Sequence, residues 1–174
     1  RDLVVFVYNQ ARKIHDFLLQ ENRYDDAVWF KDELNLLESN TPNKTLREIF
    51  NQAVTNHNKY LKNGNISLAM KIKKDYDLLG AISDADSIDT VQNVVIAVLT
   101  ELIEKGETRT GNNIIKEYNI PQPDIEKVLI EAVTNSLSTG AYDRAIDIVT
   151  KFEVDVDSFE IKSASKSAFE QCRL

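Results

Sequence analysis

The sequence contains few of the residues that interrupt helices and none of the long apolar runs that cross membranes. Its 174 residues include only five glycines and three prolines, whereas β-rich folds place many more of both in their turns. No apolar run reaches the roughly 18 residues of a membrane-spanning helix. We therefore expect one all-α domain of helices joined by short polar turns.

Cysteine and positive charge are also scarce. Cys172 is the only cysteine, which excludes an intrachain disulfide and favours a reducing, cytoplasmic location. We interpret Cys172 as a small buried residue, since no histidine is near it in sequence to activate its thiol. Lys and Arg number 21 against 28 Asp and Glu, a net charge of −7. This sign disfavours nonspecific binding of nucleic acid or anionic membranes.

Catalytic and metal-binding motifs are missing as well. The sequence has no phosphate-binding glycine loop, no His-Glu-x-x-His zinc motif and no nucleophilic serine elbow, so we expect a protein that is not an enzyme and has no cofactor. His15 and His57 form the one suggestive pair. They are either half-buried residues at helix interfaces or, alternatively, a metal pair or a pH-sensitive contact. No carboxylate or cysteine recurs beside both to complete a metal site.

The strongest positive feature is internal similarity. Tyr8-Asn9-Gln10-Ala11 precedes His15 just as Phe50-Asn51-Gln52-Ala53 precedes His57, at an offset of 42 residues. Both blocks continue through a leucine and a polar turn to an alanine, at Ala27 and Ala69. Fainter copies place the small residue of the first block at Ala97, Ala132 and Cys172. Recurrence of this kind is typical of helical hairpins that stack on one another.

The recurrence predicts about four and a half antiparallel helical hairpins. Their bounds are residues 1–42, 43–86, 87–122, 123–157 and a partial unit at 158–174. In the first helix, the apolar residues spaced three or four apart predict the buried stripe; they are Leu3, Val7, Ala11, Ile14 and Leu18.

Two further expectations concern helix ends. Thr45 and Glu48 have the spacing of a capping box at the start of the second hairpin. The partial last unit predicts an exposed apolar end at Ala168, Phe169 and Leu174, which favours a fragment of a longer chain.

Short motifs in the turns resemble known helical-repeat families. Gly140-Ala141-Tyr142-Asp143-Arg144-Ala145 resembles the turn and second helix of tetratricopeptide repeats, and residues 22–27 resemble it without the glycine. The linker at 120–124 and the aromatic-Asn openings are similar to those of pentatricopeptide repeats, which read RNA. The residues at the base-reading place, Gln10, Gln52, Ile96 and Glu131, are not the short polar ones of that family. The resemblance implies a right-handed α-solenoid and leaves the ligand open.

Polar residues recur on the first helix of each unit. Asn9, Asn51 and Asn93 are 42 residues apart, and a second series comprises Asp16, Asn58 and Thr100. If these helices line a concave surface, the amides form a ladder that donates to and accepts from a peptide backbone; solvent exposure at a helix start is the simpler alternative. We therefore expect a scaffold that binds a protein or peptide partner. An RNA-binding pentatricopeptide-like array and a helical accessory domain of an enzyme are the alternatives.

Overall fold

The protein is helical throughout the residues that the structure describes. The computed structural model describes residues 2–38, 41–80, 85–155, 157 and 159–171, in which all regular secondary structure is helical. The helices are α1 (Asp2–Gln20), α2 (Tyr24–Glu33), α3 (Asn43–Lys62), α4 (Ile66–Asp75), α5 (Ala85–Glu104), α6 (Thr108–Tyr118), α7 (Gln122–Ser138), α8 (Tyr142–Phe152) and α9 (Phe159–Gln171). The prediction of an all-α chain is confirmed. None of these helices combines the length and apolarity needed to span a bilayer.

Long and short helices alternate along the chain. α1, α3, α5 and α7 have 17 to 20 residues, and each is followed after three residues by a helix of 10 or 11. α3, α5, α7 and α9 begin at Asn43, Ala85, Gln122 and Phe159.

Cys172 and Leu174 lie outside the described residues, as does the side chain of Ala168. Phe169 is 62% exposed.

The same turn ends each of the four long helices. A residue with positive φ lies two positions after the helix, and glycine occupies this place in three of the four turns; the residues are Asn22, Gly64, Gly106 and Gly140. In each turn the next backbone N–H donates to the carbonyl five residues earlier, at 2.8 to 2.9 Å. This geometry is the Schellman motif, which pairs the last helical carbonyls and reverses the chain sharply.

A small buried residue follows each of these turns by five positions. The four residues are Ala27, Ala69, Gly111 and Ala145. In the α5–α6 pair, a Cβ added to Gly111 would lie 3.4 Å from Leu99 and 3.6 Å from Ile103. In this pair the short helix therefore approaches the long helix closely, and a side chain larger than alanine has no room at Gly111.

The chain divides into two compact units, Arg1–Gln92 and Asn93–Leu174. In the first unit, α1 packs against α2 and α3, and α3 packs against α4. The side chains with no solvent exposure in its core include Ala27, Leu36, Ile49, Ala53, Leu61, Ala69, Ile72 and Leu78. In the second unit, α7 packs against α8 and α9. Its buried residues include Leu99, Ile103, Ile114, Leu129, Ala132, Val133, Ala145, Ile148 and Ile161.

The structure corrects three details predicted from the sequence. Of the predicted apolar stripe of α1, Leu3, Val7 and Ile14 are exposed; only Ala11 and Leu18 are buried. The buried stripe runs instead through Ala11, His15, Leu18 and Leu19, because it is this face that packs against α2 and α3.

The predicted capping box does not form, and one predicted small core position is wrong. α3 already begins at Asn43, so Thr45 lies inside its first turn, where it is buried and its hydroxyl contacts the Asn9 amide oxygen at 3.4 Å. Ala97 is exposed, because it lies nine residues before the positive-φ residue of its turn, whereas Ala53 lies eleven before Gly64. Two residues of displacement turn a helical side chain by about 200°.

Glycine permits close helix packing at Gly111 and a positive φ at Gly106, and substituting each residue measures these two effects separately. We expect Gly111→Ala to stabilise the protein by about 0.5–1 kcal/mol, because alanine disfavours the unfolded chain and its methyl group fits at ordinary contact distance. The matched change Gly106→Ala meets no atom within 4 Å but has a φ of +78°, and should destabilise by about 1 kcal/mol. Urea unfolding measures both; destabilisation by Gly111→Ala would contradict the helix spacing.

Candidate interaction surfaces and the buried polar cluster

One side of α1 presents large apolar side chains to solvent. Five of these exposed residues lie on one face of the helix and are 47 to 74% accessible: Leu3, Phe6, Val7, Ile14 and Phe17. Val4 and Val5, which are 54% and 42% exposed, lie on other sides of the same helix. At 100° per residue the five fall within an arc of about 100°, together with Gln10. We call this set the α1 apolar face. Contiguous exposed residues of this size mark interaction sites, whereas single ones need no explanation.

The neighbouring side of α1, which packs against α2 and α3, carries a buried polar cluster instead of a purely apolar stripe. His15 has no solvent exposure, and its Nε2 atom lies 2.8 Å from the hydroxyl of Tyr76, which is 1% exposed. Its Nδ1 atom lies 3.3 Å from the carboxylate of Asp16. Because a carboxylate only accepts, Nδ1 carries a proton, and in a neutral ring Nε2 then accepts from the Tyr76 hydroxyl.

Lys31 completes this cluster from α2. Its side chain is buried, its ammonium pairs with Asp32, and its Nζ atom lies 5.4 Å from the centre of the Tyr76 ring. Lys is rarely buried unless it is paired, and the carboxylate and the aromatic ring both compensate its charge. The first hairpin thus holds the tyrosine of the second through a hydrogen bond and a cation–π contact.

A second polar contact between the same hairpins lies nearer the surface. The buried Tyr24 donates to the carboxylate of Asp75 at 2.6 Å. Lys71 reaches from α4 to Asp25 at 2.5 Å and covers the Tyr24 ring at 4.9 Å. These contacts join α2 to α4, and Arg12 joins α1 to Glu48 of α3 at 3.2 Å.

Burial raises the pKa of both tyrosine hydroxyls. For Tyr24 the hydrogen bond to Asp75 adds to the effect of burial, and for Tyr76 the nearby carboxylates of Asp32, Asp75 and Asp16 add to it. Both hydroxyls are therefore protonated and able to donate at neutral pH. His15 and Tyr76 have almost no solvent access. Their contact is therefore suited to holding the first two hairpins together.

The six polar residues predicted to form a ladder occupy different environments. Asn51 and Asn93 are exposed, whereas Asn9, Asp16, Asn58 and Thr100 are half-buried. Asp16 and Asn58 contact the ring of the preceding histidine; the Asn58 amide oxygen lies 2.7 Å from Nδ1 of His57. The Thr100 hydroxyl donates to the carbonyl of Ile96 at 3.0 Å.

The three asparagines of the polar series lie at the same distance from the turns that end their helices. Asn9, Asn51 and Asn93 each lie thirteen residues before the positive-φ residue that ends their helix, at Asn22, Gly64 and Gly106. The equivalent positions are therefore set by the helix end. The prediction that they line a binding surface remains a prediction.

Neither histidine belongs to a complete set of metal ligands in the part of the chain that the structure describes. Within the described ranges, no group of three or more His, Cys, Asp or Glu side chains is placed to hold a metal ion. His57 is fully buried in α3, beside Asn58. Both histidines, expected to be half-buried at interfaces, are in fact fully buried.

Acid should weaken the first unit through His57. Burial, with a contribution from Lys73, lowers the pKa of His57 below its ordinary value near 6.5, and the Asn58 contact only partly opposes this. Below pH of about 6.5 the unfolded chain therefore binds a proton that the folded chain does not, so stability falls as pH falls. Urea midpoints at pH of about 7.5, 6.5 and 5.5 measure this slope.

A leucine variant provides the control for this acid effect. α5 has Leu99 seven residues before Gly106, as α3 has His57 seven residues before Gly64. His57→Leu should flatten the pH slope above about pH 5.5, where carboxylates contribute little. An unchanged slope in the variant would show that another group causes the acid sensitivity.

An apolar cleft lies in the second unit between α7, α8 and α9. Its volume is about 370 Å³, and it is lined by Val133, Leu137, Ala145, Ile146, Val149, Thr150, Ile161, Lys162 and Ser165. Ile146 is 63% exposed at its edge. Neither this cleft nor the α1 apolar face was predicted from the sequence, since apolar residues at helical spacing were assigned to the core.

Comparisons with models of protein families, with curated proteins and with solved structures find no match to this chain. The function proposed below therefore rests on the geometry of the chain's own residues.

Proposed function

We propose that the protein is a non-catalytic scaffold that binds a protein partner through the α1 apolar face. The single observation that carries this proposal is the exposure of Leu3, Phe6, Val7, Ile14 and Phe17 on one side of one helix. Full burial of a large apolar side chain contributes about 1.5–3 kcal/mol, so covering this face would supply a substantial share of a binding free energy. Aromatic residues such as Phe6 and Phe17 are enriched in such contacts.

The proposed architecture is a right-handed α-solenoid of helical hairpins. Its support is the alternation of long and short helices, the same turn at the end of four long helices, and the small residue five positions later. A hairpin does not cover its own apolar surface, and stacking on neighbours does. Arrays of this kind act mainly as binding surfaces.

The polar series has a smaller part in this proposal. Asn51 and Asn93 have exposed side chains. We propose that they contact a partner's backbone, because a side-chain amide can both donate and accept hydrogen bonds. Asp16 and Asn58 have a different assignment, since they already contact His15 and His57. They orient the buried rings.

Site-specific photo-crosslinking tests the proposed partner contact. The photoreactive residue benzoylphenylalanine replaces Phe17 on the α1 apolar face in one variant and the exposed Thr55 of α3 in another, in cells that produce the protein. We expect a discrete protein adduct from position 17 that position 55 does not give. Adducts of equal intensity at both positions, or none at position 17, would overturn the proposal.

A further inference from the structure

The cleft of the second unit has the composition of a binding groove. Its walls are aliphatic, from Val133 and Leu137 of α7, Val149 of α8 and Ile161 of α9, with Ala145 as a small buried residue. A volume of about 370 Å³ is more than twice the roughly 150 Å³ cavity that holds a benzene molecule. There is room for two or three aliphatic side chains.

The charge at the edge of the cleft specifies the kind of occupant. Lys162 is the one charged side chain among the lining residues, although residues 93–174 carry 14 acidic and 9 basic groups. Its ammonium contacts Asp157 at 2.9 Å, but both side chains are more than 60% exposed. Such a surface pair contributes little, so a ligand carboxylate competes for the lysine readily.

A second cation lies one helical turn further along α9. Lys166 is exposed and follows Lys162 by four residues, so both ammonium groups project from the same side of the helix. The hydroxyls of Thr150 and Ser165 also line the cleft. An aliphatic groove with cations along one edge is complementary to a helix that has apolar residues on one face and acidic residues beside them.

We propose that the cleft between α7, α8 and α9 binds an acidic amphipathic helix of a partner protein, whose apolar side chains enter the groove and whose carboxylates contact Lys162 and Lys166. The cleft is open to solvent, as helix-in-groove recognition requires. Ile146, 63% exposed beside the cleft, becomes covered when the helix binds. The cleft shares no residue with the α1 apolar face, and this proposal does not depend on the function proposed for that face.

Fluorescence anisotropy with a defined peptide tests the proposal on the full 174-residue chain. The probe is a labelled amphipathic helix with leucines three and four residues apart and glutamates on its flanks; its comparison peptide has lysines in place of the glutamates. We expect saturable binding of the acidic peptide and at least tenfold weaker binding of the basic one. Equal or tighter binding of the basic peptide, or no binding of either, would overturn the proposal.

Variants locate the site and distinguish the occupants. Ile146→Ser and Lys162→Glu should each weaken the acidic peptide about tenfold, and far-UV circular dichroism confirms folding, since both side chains are exposed. Lys127→Glu, on an exposed part of α7 outside the lining residues, should change the affinity less than about twofold. Unchanged affinity in Ile146→Ser overturns the location, and displacement of the peptide by dodecanoate at equal concentration overturns the peptide in favour of a fatty acid.

Discussion

Replacing Ala69 by leucine should destabilise the first unit more than any exposed substitution in the chain. Ala69 has no solvent exposure and lies five residues after the turn that joins α3 to α4. Those two helices pack directly against each other, so three extra carbon atoms force the helices apart or push neighbours out of their rotamers. Overpacking of this kind costs about 1–3 kcal/mol. Urea unfolding followed by far-UV circular dichroism measures the loss.

Ala97→Leu is the matched control for this substitution. Ala97 has the same residue type and also lies in a helix, but it is exposed. Its replacement should change the free energy of unfolding by less than about 0.5 kcal/mol. If Ala97→Leu costs as much as Ala69→Leu, the position of a small residue within the repeated sequence block decides its burial, and its distance from the turn does not.

Removing the hydroxyl of Tyr76 should have the second largest effect. In Tyr76→Phe, the Nε2 atom of the fully buried His15 loses its donor, and an unpaired buried polar atom costs about 1–3 kcal/mol. In the double variant with His15→Leu, no unpaired nitrogen remains. The double variant should therefore cost less than the sum of the single variants, by about 1 kcal/mol or more.

Tyr60→Phe controls for loss of a tyrosine hydroxyl as such. The Tyr60 hydroxyl also bonds to a residue in the first hairpin, the Asn22 amide oxygen at 2.7 Å, but this bond is exposed to solvent. We expect a change below about 0.5 kcal/mol, because water replaces the lost partner. Strict additivity of His15→Leu and Tyr76→Phe would contradict a direct coupling between those two side chains.

The helices were predictable because their signals are local. Glycine or asparagine ends each long helix, and apolar residues at helical spacing lie between the turns. The small buried position of the third hairpin was harder to predict. The sequence suggested Ala97, whereas the small buried residue that follows the turn is Gly111. A glycine within a helix does not by itself indicate a core position.

The candidate surfaces could not be separated from the core by pattern alone. α1 has apolar residues on two sides, and spacing does not distinguish Ile14, which is 47% exposed, from Leu18, which is 8% exposed. Only the positions of α2 and α3 decide which side is buried. The contact between His15 and Tyr76 spans 61 residues of sequence, and no local motif signals it.

The affinity of the cross-linked partner for two forms of the protein tests the central claim most directly. Phe6→Asn together with Phe17→Asn removes both aromatic rings of the α1 apolar face without touching the core, since both side chains are more than half exposed. We predict a folded variant that binds the partner at least tenfold more weakly than the unsubstituted protein, as expected for loss of aromatic anchors. Affinities within about twofold of each other would contradict the assignment of this face as the binding surface.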